Sequence, residues 1–188
     1  MSGDVLFIVG SVRPVRVGDQ LGEHIVKLFE DAGDARITMV DLRELALPFL
    51  DEPKMPALGK YEHEHTKRWS EQVAGSSAVV ILTPEYNWGY PASVKNAVDY
   101  LYKEWKDKPA LLISYGGGGG KRCYEQLLQV LGRVGMQLAE TRVNIALRDA
   151  YGDDDRLKDA AAIVDRESDV LIKAWQELQA LIANKDEL

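Results

Sequence analysis

The segment VLFIVGSVRPVRVG, residues 5–18, joins an uninterrupted apolar run to a turn that contains glycine, serine and two arginines. Apolar runs without alternation are typical of strands buried on both faces of a parallel sheet, so Val5–Val9 is predicted as a strand. The residues that follow the turn have helical periodicity. Amides at a helix N-terminus attract anions, and Ser11, Arg13 and Arg16 add a hydroxyl and two guanidinium groups. The turn is therefore predicted to bind a terminal phosphate.

Two common nucleotide-binding patterns are absent from the chain. A dinucleotide-binding turn needs G-x-G-x-x-G directly after the first strand, and this turn lacks it. The glycine run Gly116–Gly120 does not match a P-loop, because Tyr115 replaces its first glycine and Arg122 its final Ser or Thr. Both classes are disfavoured, and the glycine run is predicted to let a flat ligand approach the backbone closely.

Short apolar runs and amphipathic helical segments alternate to the end of the chain, which predicts an α/β fold. Further strands are predicted at Arg36–Val40, Ala78–Leu82, Ala110–Ser114 and Thr141–Ile145, giving five in all. No break in composition divides the 188 residues. We therefore predict a single domain over residues 1–188.

Helical periodicity predicts five helices between and after these strands. Gly33 is suited to cap the end of the first helix, and Thr66 the start of the second. Pro91 fits the first turn of the third, whose apolar face extends to Trp105. One long helix with an apolar face over residues 164–182 is predicted to close the chain.

Charge and cysteine content limit the classes of partner and compartment. Lys and Arg total 23 against 30 Asp and Glu, a net charge of −7, so neither nucleic acid nor an anionic membrane surface is expected as a partner. Cys123 is the single cysteine and cannot form an internal disulfide. The first apolar run is too short for a signal peptide. We expect a cytoplasmic protein and interpret Lys185–Leu188, which matches a retrieval signal of the endoplasmic reticulum, as coincidental.

Two more loops are predicted at the same edge of the sheet as the first turn. Both follow strands and are rich in aromatic, amide or glycine residues: Pro84, Glu85, Tyr86, Asn87 and Trp88 after strand three, and Ser114, Tyr115, Gly116 and Gly117 after strand four. In an open parallel sheet of order 2-1-3-4-5, the loops after strands one, three and four flank the ligand crevice. A phosphate site beside aromatic and amide groups suits a flat heterocycle with a sugar phosphate, which points to FMN.

Three ordered motifs make a resemblance specific. Residues 10–13 (GSVR), 84–97 (PEYNWGYPASVKNA) and 114–117 (SYGG) closely resemble the NADPH-dependent FMN reductase family, over about Val5 to Ile145. This resemblance implies a flavodoxin-like fold, with helices on both faces of the sheet. It further implies that Ser11, Arg13 and the turn through Arg16, Val17 and Gly18 hold the FMN phosphate. Residues 84–87 would border the isoalloxazine ring on one edge and residues 114–117 on the other. Apart from the resemblance, Tyr86, Asn87 and Trp88 are predicted to shape the open face of the flavin.

The expected function is an FMN-dependent oxidoreductase that takes hydride from NADH or NADPH. Its expected acceptors are small molecules: quinones, flavins, azo compounds or metal oxyanions, reduced by a ping-pong mechanism. The flavin carries the chemistry, so no catalytic side chain is named. Two alternatives stay open: a flavodoxin-like electron carrier that docks on a protein partner without oxidising NAD(P)H, and a non-catalytic interaction module.

The long connection Arg43–His65 contains three prolines and little regular pattern. It is predicted either as a functional or interfacial loop or as a cover for the edge of the sheet. With the exposed aromatic residues it could complete the flavin pocket in a homodimer or homotetramer. Its histidine-rich end, Glu62–His65, is interpreted as a solvated loop and not a metal site, because the spacing fits neither a strong ligand pair nor H-E-x-x-H.

Overall fold

The computed structural model describes residues 4–186. Its sheet contains six strands: β1 (Val5–Val9), β2 (Ile37–Asp41), β3 (Ala78–Pro84), β4 (Pro109–Gly116), β5 (Gln137–Leu138) and β6 (Val143–Ala146). All strand pairs are parallel, and the order is β2-β1-β3-β4, with β5 and β6 both on the outer side of β4. The predicted α/β class and the strand order 2-1-3-4-5 are confirmed.

The fifth position of the sheet differs from the prediction, because two short strands share it. β5 pairs with the start of β4, whereas β6 pairs with its last four residues, Ile113–Gly116. The chain leaves the sheet between them at Thr141, whose backbone N–H and hydroxyl both donate to the carboxylate of Glu177, at 2.7 and 2.6 Å. Thr141 was predicted as the first residue of the strand and instead binds a helix.

Helices cover both faces of the sheet. They are α1 (Gly18–Asp31), α2 (Leu42–Leu45), α3 (Glu64–Gly75), α4 (Ala92–Asp99), α5 (Lys121–Arg133), α6 (Ala160–Arg166) and α7 (Ser168–Asp186). Alternate residues of β1 point to opposite faces, so Phe7 packs with α1, α6 and α7 while Ile8 packs with α3, α4 and α5. The three-layer, flavodoxin-like architecture is confirmed.

Three helix boundaries differ from their predictions. α1 ends at Asp31 with Ala32 as its cap, so Gly33 is not the capping residue. Thr66 is buried inside α3, whose cap is His63. The predicted terminal helix is interrupted at Glu167, between α6 and α7.

Trp105 lies beyond the end of α4, contrary to the prediction that it continues this helix. Its indole N–H donates to the carbonyl of Val98 at 3.0 Å, and that of Trp69 donates to the carbonyl of Ala97 at 2.9 Å. Both tryptophans are fully buried. They therefore bind carbonyls in the last turn of α4, where the helix itself supplies few donors, and the carbonyl of Val98 also accepts from the N–H of Leu101 at 3.2 Å.

The long connection is ordered by contacts with α4. The Asn96 side chain binds it twice, donating to the carbonyl of Pro48 at 2.7 Å and accepting from the N–H of Leu50 at 3.0 Å. The Tyr100 hydroxyl donates to the Asp51 carboxylate at 2.8 Å, and a ring nitrogen of His65 lies 3.0 Å from the same oxygen. These contacts fix the segment against the body of the protein.

The solvated-loop interpretation of Glu62–His65 is wrong for its last two residues, because α3 begins at Glu64 and His65 is only partly exposed. The residues described by the structure contain no group of three or more metal-ligating side chains placed to hold an ion. No helix within residues 4–186 is long and apolar enough to cross a membrane. Glu187 and Leu188 lie outside the described residues, so the interpretation of the C-terminal tail stays a prediction.

Lys108 gives the stability of this fold a predictable pH dependence. It is buried, and its ammonium donates to the carbonyls of Val73, at 2.7 Å, and Ser76 at the end of α3. Burial lowers the pKa of Lys108 from 10.5 to about 8. Between these two values the unfolded chain retains a proton that the folded chain has lost, so the stability should rise with pH.

The free energy of unfolding of the parent should rise by up to about 1 kcal/mol per pH unit between pH 8 and pH 10, relative to that of the variant Lys108→Met. Urea denaturation of both proteins at several pH values measures the difference, and other titrating groups cancel in the comparison. A difference that stays constant with pH would show that the two carbonyls keep Lys108 charged in the folded protein.

Candidate active site at the carboxyl edge of the sheet

Three loops meet where β1, β3 and β4 end. The N–H of Gly10 donates to the carbonyl of Leu82 at 2.8 Å, and the N–H of Glu85 donates to the carbonyl of Tyr115 at 3.0 Å. The hydroxyls of Ser11 and Tyr86 lie 2.6 Å apart. The loops that the sequence places at one edge are therefore joined directly by hydrogen bonds.

The two arginines of the first turn have different environments. The Arg16 side chain is 7% exposed and forms an ion pair with Asp41 at the end of β2. Its Nε and Nη1 atoms are buried, and neither has a hydrogen-bond partner among the described residues. Arg13 is exposed and forms no ion pair within residues 4–186. Arg13 is thus available to an external anion, whereas Arg16 fixes the turn to its neighbouring strand.

Val17 and Gly18 form the entrance to α1. Val17 is the N-terminal cap and offers no side-chain hydrogen bond, so the first amides of the helix have no capping side chain. A Cβ atom on Gly18 would lie 2.6 Å from the Tyr115 hydroxyl, so this position requires glycine. Burial, and secondarily Tyr86, raises the pKa of Tyr115. The Tyr115 hydroxyl remains protonated and packs beneath the turn.

The loop after β3 contains a tight turn at Tyr86–Gly89. Its end residues exchange backbone hydrogen bonds of 2.8 and 2.9 Å. Asn87 and Trp88 both have left-handed backbones, with φ of 49° and 73°. Asn tolerates this conformation, but for a bulky residue such as Trp it is strained, and such strain is concentrated at functional sites.

Trp88 is held in this position although 61% of it is exposed. The guanidinium of Arg122 lies 3.6 Å from the centre of its ring, and Gln126 donates to its carbonyl at 3.2 Å. A cation over an indole face is a favourable contact. The structure thus presents a large aromatic surface at the rim of the crevice.

The Glu85 side chain has a structural role. Its carboxylate accepts from the backbone N–H groups of Arg122, at 3.0 Å, and Cys123, at 3.2 Å. It therefore caps α5, where a negative charge is favourable. Burial, followed by the charge of Glu85, raises the pKa of the Cys123 thiol to about 12, so this cysteine is packed and unreactive.

Ser114 also has internal partners. Its hydroxyl donates to the carbonyl of Gly119 at 2.8 Å and accepts from the side-chain amide of Asn144 at 2.7 Å. Gly119 and Gly120 have left-handed backbones, with φ of 82° and 70°. Ser114 therefore shapes the glycine run from beneath, and only its backbone is left for a ligand.

Gly117 and Gly118 form the open part of the glycine run. A Cβ atom at either position would have no described atom within 4 Å, and neither residue has a positive φ. The backbone is consequently accessible here without any side chain above it. This is the feature expected of an edge that a flat ring approaches closely.

One part of the site was missed by sequence reasoning. Residues 147–158, which follow β6, lie against the first turn, where Arg156 pairs with Asp19 at 2.9 Å. Tyr151 belongs to the same segment and pairs with Leu157 in an antiparallel bridge. The signal was available, because the loop after a fifth parallel strand ends at the same edge of the sheet as the others.

Apart from the crevice, a cavity of about 490 Å³ adjoins the first turn. Its lining is mainly apolar and comes from Val12, the segment Leu42–Phe49 and the first turns of α4. Four exposed apolar side chains belong to the same long connection: Phe49 (83% exposed), Met55 (68%), Leu58 (55%) and Leu50 (40%). Exposed apolar side chains grouped in this way are typical of a surface that contacts another molecule.

The residues at this edge fit FMN. A buried guanidinium with two unpartnered N–H groups, an exposed Arg13 and the uncapped amides of α1 provide donors for a phosphate. The open backbone at Gly117 and Gly118 gives room for a flat ring. The fold and this site define a flavodoxin-like protein of the FMN-binding class.

Comparisons with known proteins identify the family within that class. Residues 4–148 match the family described as NADPH-dependent FMN reductase, and the chain belongs to this family. It is 41% identical over 145 residues to an NAD(P)H-dependent FMN reductase of Schizosaccharomyces pombe, covering 76% of this chain and 72% of the relative. A Saccharomyces cerevisiae protein of the same description is 42% identical over 135 residues, covering 66% and 71%. The chain is thus an oxidoreductase that uses FMN together with NADH or NADPH.

Solved structures agree with the fold. The flavoenzyme NAD(P)H:(acceptor) oxidoreductase of Paracoccus denitrificans superimposes with a TM-score of 0.60 at 26% identity, covering 92% of this chain and 98% of that one. An NAD(P)H:quinone oxidoreductase of Methanothermobacter marburgensis gives a TM-score of 0.67, covering 96% and 100%. At 15% identity, the second comparison bears on the architecture alone.

Proposed function

We propose that this protein transfers electrons from NAD(P)H to small planar acceptors, quinones in particular, at one open face of the bound flavin. The observation that carries the proposal is the open backbone at Gly117 and Gly118, and the exposed indole of Trp88, in another loop of the same sheet edge, adds an aromatic surface. Such a site admits a second flat ring. A relative of 41% identity over 68 residues is the quinone reductase of Escherichia coli, which supports this class of acceptor.

The residues divide into three groups by the part of FMN that they would hold. Ser11, Arg13 and the backbone at residues 16–18 would bind the phosphate. The backbone of residues 84–87 would border one edge of the ring, and that of residues 114–117 the other. The bound flavin supplies the hydride chemistry. The protein binds and orients it, and the donor and acceptor ring are positioned by packing without an acid or base side chain.

Steady-state kinetics test the shared face. Because the nicotinamide and the acceptor cannot occupy one face together, the turnover should be ping-pong, and double-reciprocal plots at several quinone concentrations should be parallel. Intersecting lines would contradict a shared face. Absence of NAD(P)H oxidation by the FMN-loaded protein would favour the electron-carrier alternative, and this control should be run with NADH and with NADPH.

The variant Arg13→Ala should weaken FMN binding by about 1–3 kcal/mol, because charge-assisted hydrogen bonds to the phosphate are lost. Riboflavin, which has no phosphate, should bind the variant and the parent about equally. Quenching of flavin fluorescence measures both affinities. An equal loss for both flavins would show that Arg13 does not act through the phosphate.

We also propose that the apolar surface around the cavity of about 490 Å³ is covered by a second copy of the chain, in a homodimer or homotetramer. The support is the exposure of Phe49, which lines the cavity together with Val12 of the first turn, and of Met55 and Leu58 in the same long connection. Sedimentation of the parent and of Phe49→Asp tests it. The parent should sediment as an oligomer, and the variant should shift towards the monomer. The cytoplasm is the compartment we propose for this enzyme.

A further inference from the structure

Residues 147–158 form a hairpin with its own hydrogen bonds. Tyr151 and Leu157 face each other in an antiparallel bridge. The N–H of Gly152 donates to the carbonyl of Arg156 at 2.7 Å, and the N–H of Lys158 donates to the carbonyl of Ala150 at 3.0 Å. The segment therefore has a definite shape and is not a disordered connection between β6 and α6.

The hairpin is fastened to the phosphate turn and the first turn of α1. Arg156 donates through Nη1 to the carbonyl of Arg16 and pairs with the Asp19 carboxylate at 2.9 Å. The Gln20 side chain forms a reciprocal pair with the backbone of Leu157, accepting at 3.0 Å and donating at 3.3 Å. Leu157 itself is buried in the core. The polar contacts of Arg156 and Gln20 and the burial of Leu157 thus fix the position of the hairpin.

The Arg156 contact also balances the negative charge of Asp19 near the phosphate turn. Asp19 lies in the first turn of α1, close to where the phosphate of FMN would bind. An unpaired carboxylate there would repel the phosphate. Because Arg156 pairs with Asp19, the helix end remains compatible with an anionic ligand.

Tyr151 is the one large hydrophobic side chain among residues 147–158 that is exposed, at 40%. Its surroundings are those of the phosphate end of the site. Burial raises the pKa of Tyr151, the Arg13 guanidinium opposes this rise, and Tyr86 adds to it. Tyr151 pairs with Leu157, the neighbour of Arg156, and Arg156 contacts Arg16 and Asp19. The hairpin contacts therefore place Tyr151 beside the phosphate turn.

We infer that Tyr151 forms the outer wall of the flavin site at its phosphate and ribityl end, and that Arg156 is the positioning residue that holds this wall against the phosphate turn. The inference rests on the proposed site for FMN. The aromatic ring restricts access of water to the phosphate end and slows the release of FMN. The polar contacts with Arg16, Asp19 and Gln20 keep the hairpin in place when the flavin is absent.

Flavin binding to the apoprotein tests this inference. Affinities for FMN and release rates are measured by flavin fluorescence for the parent, Tyr151→Ala, Tyr151→Phe and Arg156→Gln. Tyr151→Ala should release FMN about tenfold faster, whereas Tyr151→Phe, which keeps the ring, should stay close to the parent. Lys27→Gln removes an exposed ion pair at the far end of α1 and is the matched control for Arg156→Gln. An unchanged release rate in Tyr151→Ala would overturn the inference.

The double variant Tyr151→Ala, Arg156→Gln distinguishes a positioning role from a direct one. If Arg156 acts by holding Tyr151, Arg156→Gln should accelerate release severalfold in the parent and have little further effect once the ring is gone. An equal effect in both backgrounds would overturn the role assigned to Arg156. Failure of the proposed function would look different, because the parent would bind FMN normally and yet not oxidise NAD(P)H.

Discussion

Gly117→Val should leave FMN bound and slow its reduction by NADPH by roughly 100-fold, since a displacement of reacting groups by about 1 Å has an effect of this size. The branched side chain would occupy space at the edge that the second ring needs. A Cβ atom added at Gly117 would meet no other residue within 4 Å beyond its chain neighbours, and the glycine has no positive φ, so the substitution should not disturb the fold. Rapid mixing of the FMN-loaded variant with NADPH under anaerobic conditions measures the rate.

Gly33→Val is the matched control, because this glycine also has open space around it and lies at the end of α1 remote from the crevice. NADPH should reduce the FMN bound to Gly33→Val at the rate of the parent. Retention of the parent rate by Gly117→Val would show that the nicotinamide does not approach at this edge. Loss of FMN from Gly117→Val would instead place the flavin itself directly over residue 117.

Arg16→Met should lower the free energy of unfolding by about 3 kcal/mol, because breaking a buried ion pair leaves one charge without its partner. The Arg16 side chain is 7% exposed and that of Asp41 is 19% exposed, so water can compensate only in part. Urea denaturation of the apoprotein measures the change. The use of apoprotein separates the stability of the fold from any loss of FMN binding.

Lys27→Met removes an ion pair whose side chains are 72% and 64% exposed, and it should leave the free energy of unfolding nearly unchanged, because water and salt screen such a pair. A similarly small effect for Arg16→Met would mean that the pair with Asp41 does not stabilise the turn. The role of Arg16 would then have to come from its two unpartnered N–H groups and a ligand.

Local sequence was sufficient for the framework of the site. Apolar runs such as Val5–Val9 are buried on both faces, and the unbroken apolar pattern that indicates this burial is contained in the run itself. Parallel strands end at one edge, so the loops at residues 84–88 and 114–117 had to meet the first turn. The motifs in these loops also indicated the family, which the comparisons confirm.

The boundary errors have a common physical cause. Thr141 lies outside the sheet, where Glu177 of α7 accepts both of its donors. Trp105 lies in the turns after α4, where its indole N–H binds the carbonyl of Val98. These partners are distant in the sequence or lie across a turn. Periodicity measures only the pattern of burial, so it could not reveal them.

The sequence by itself determined the order of the elements, the edge that carries the site and the residue types available there. Only the tertiary structure decided how those residues are used. Arg13 and Arg16 are three positions apart, yet one is exposed and the other is buried against Asp41. The carboxylate of Glu85 caps α5, and Arg156 reaches Asp19 across 137 positions of the chain. A side chain's partners depend on which elements pack beside it, and this is fixed by the whole fold and not by the local pattern of residues.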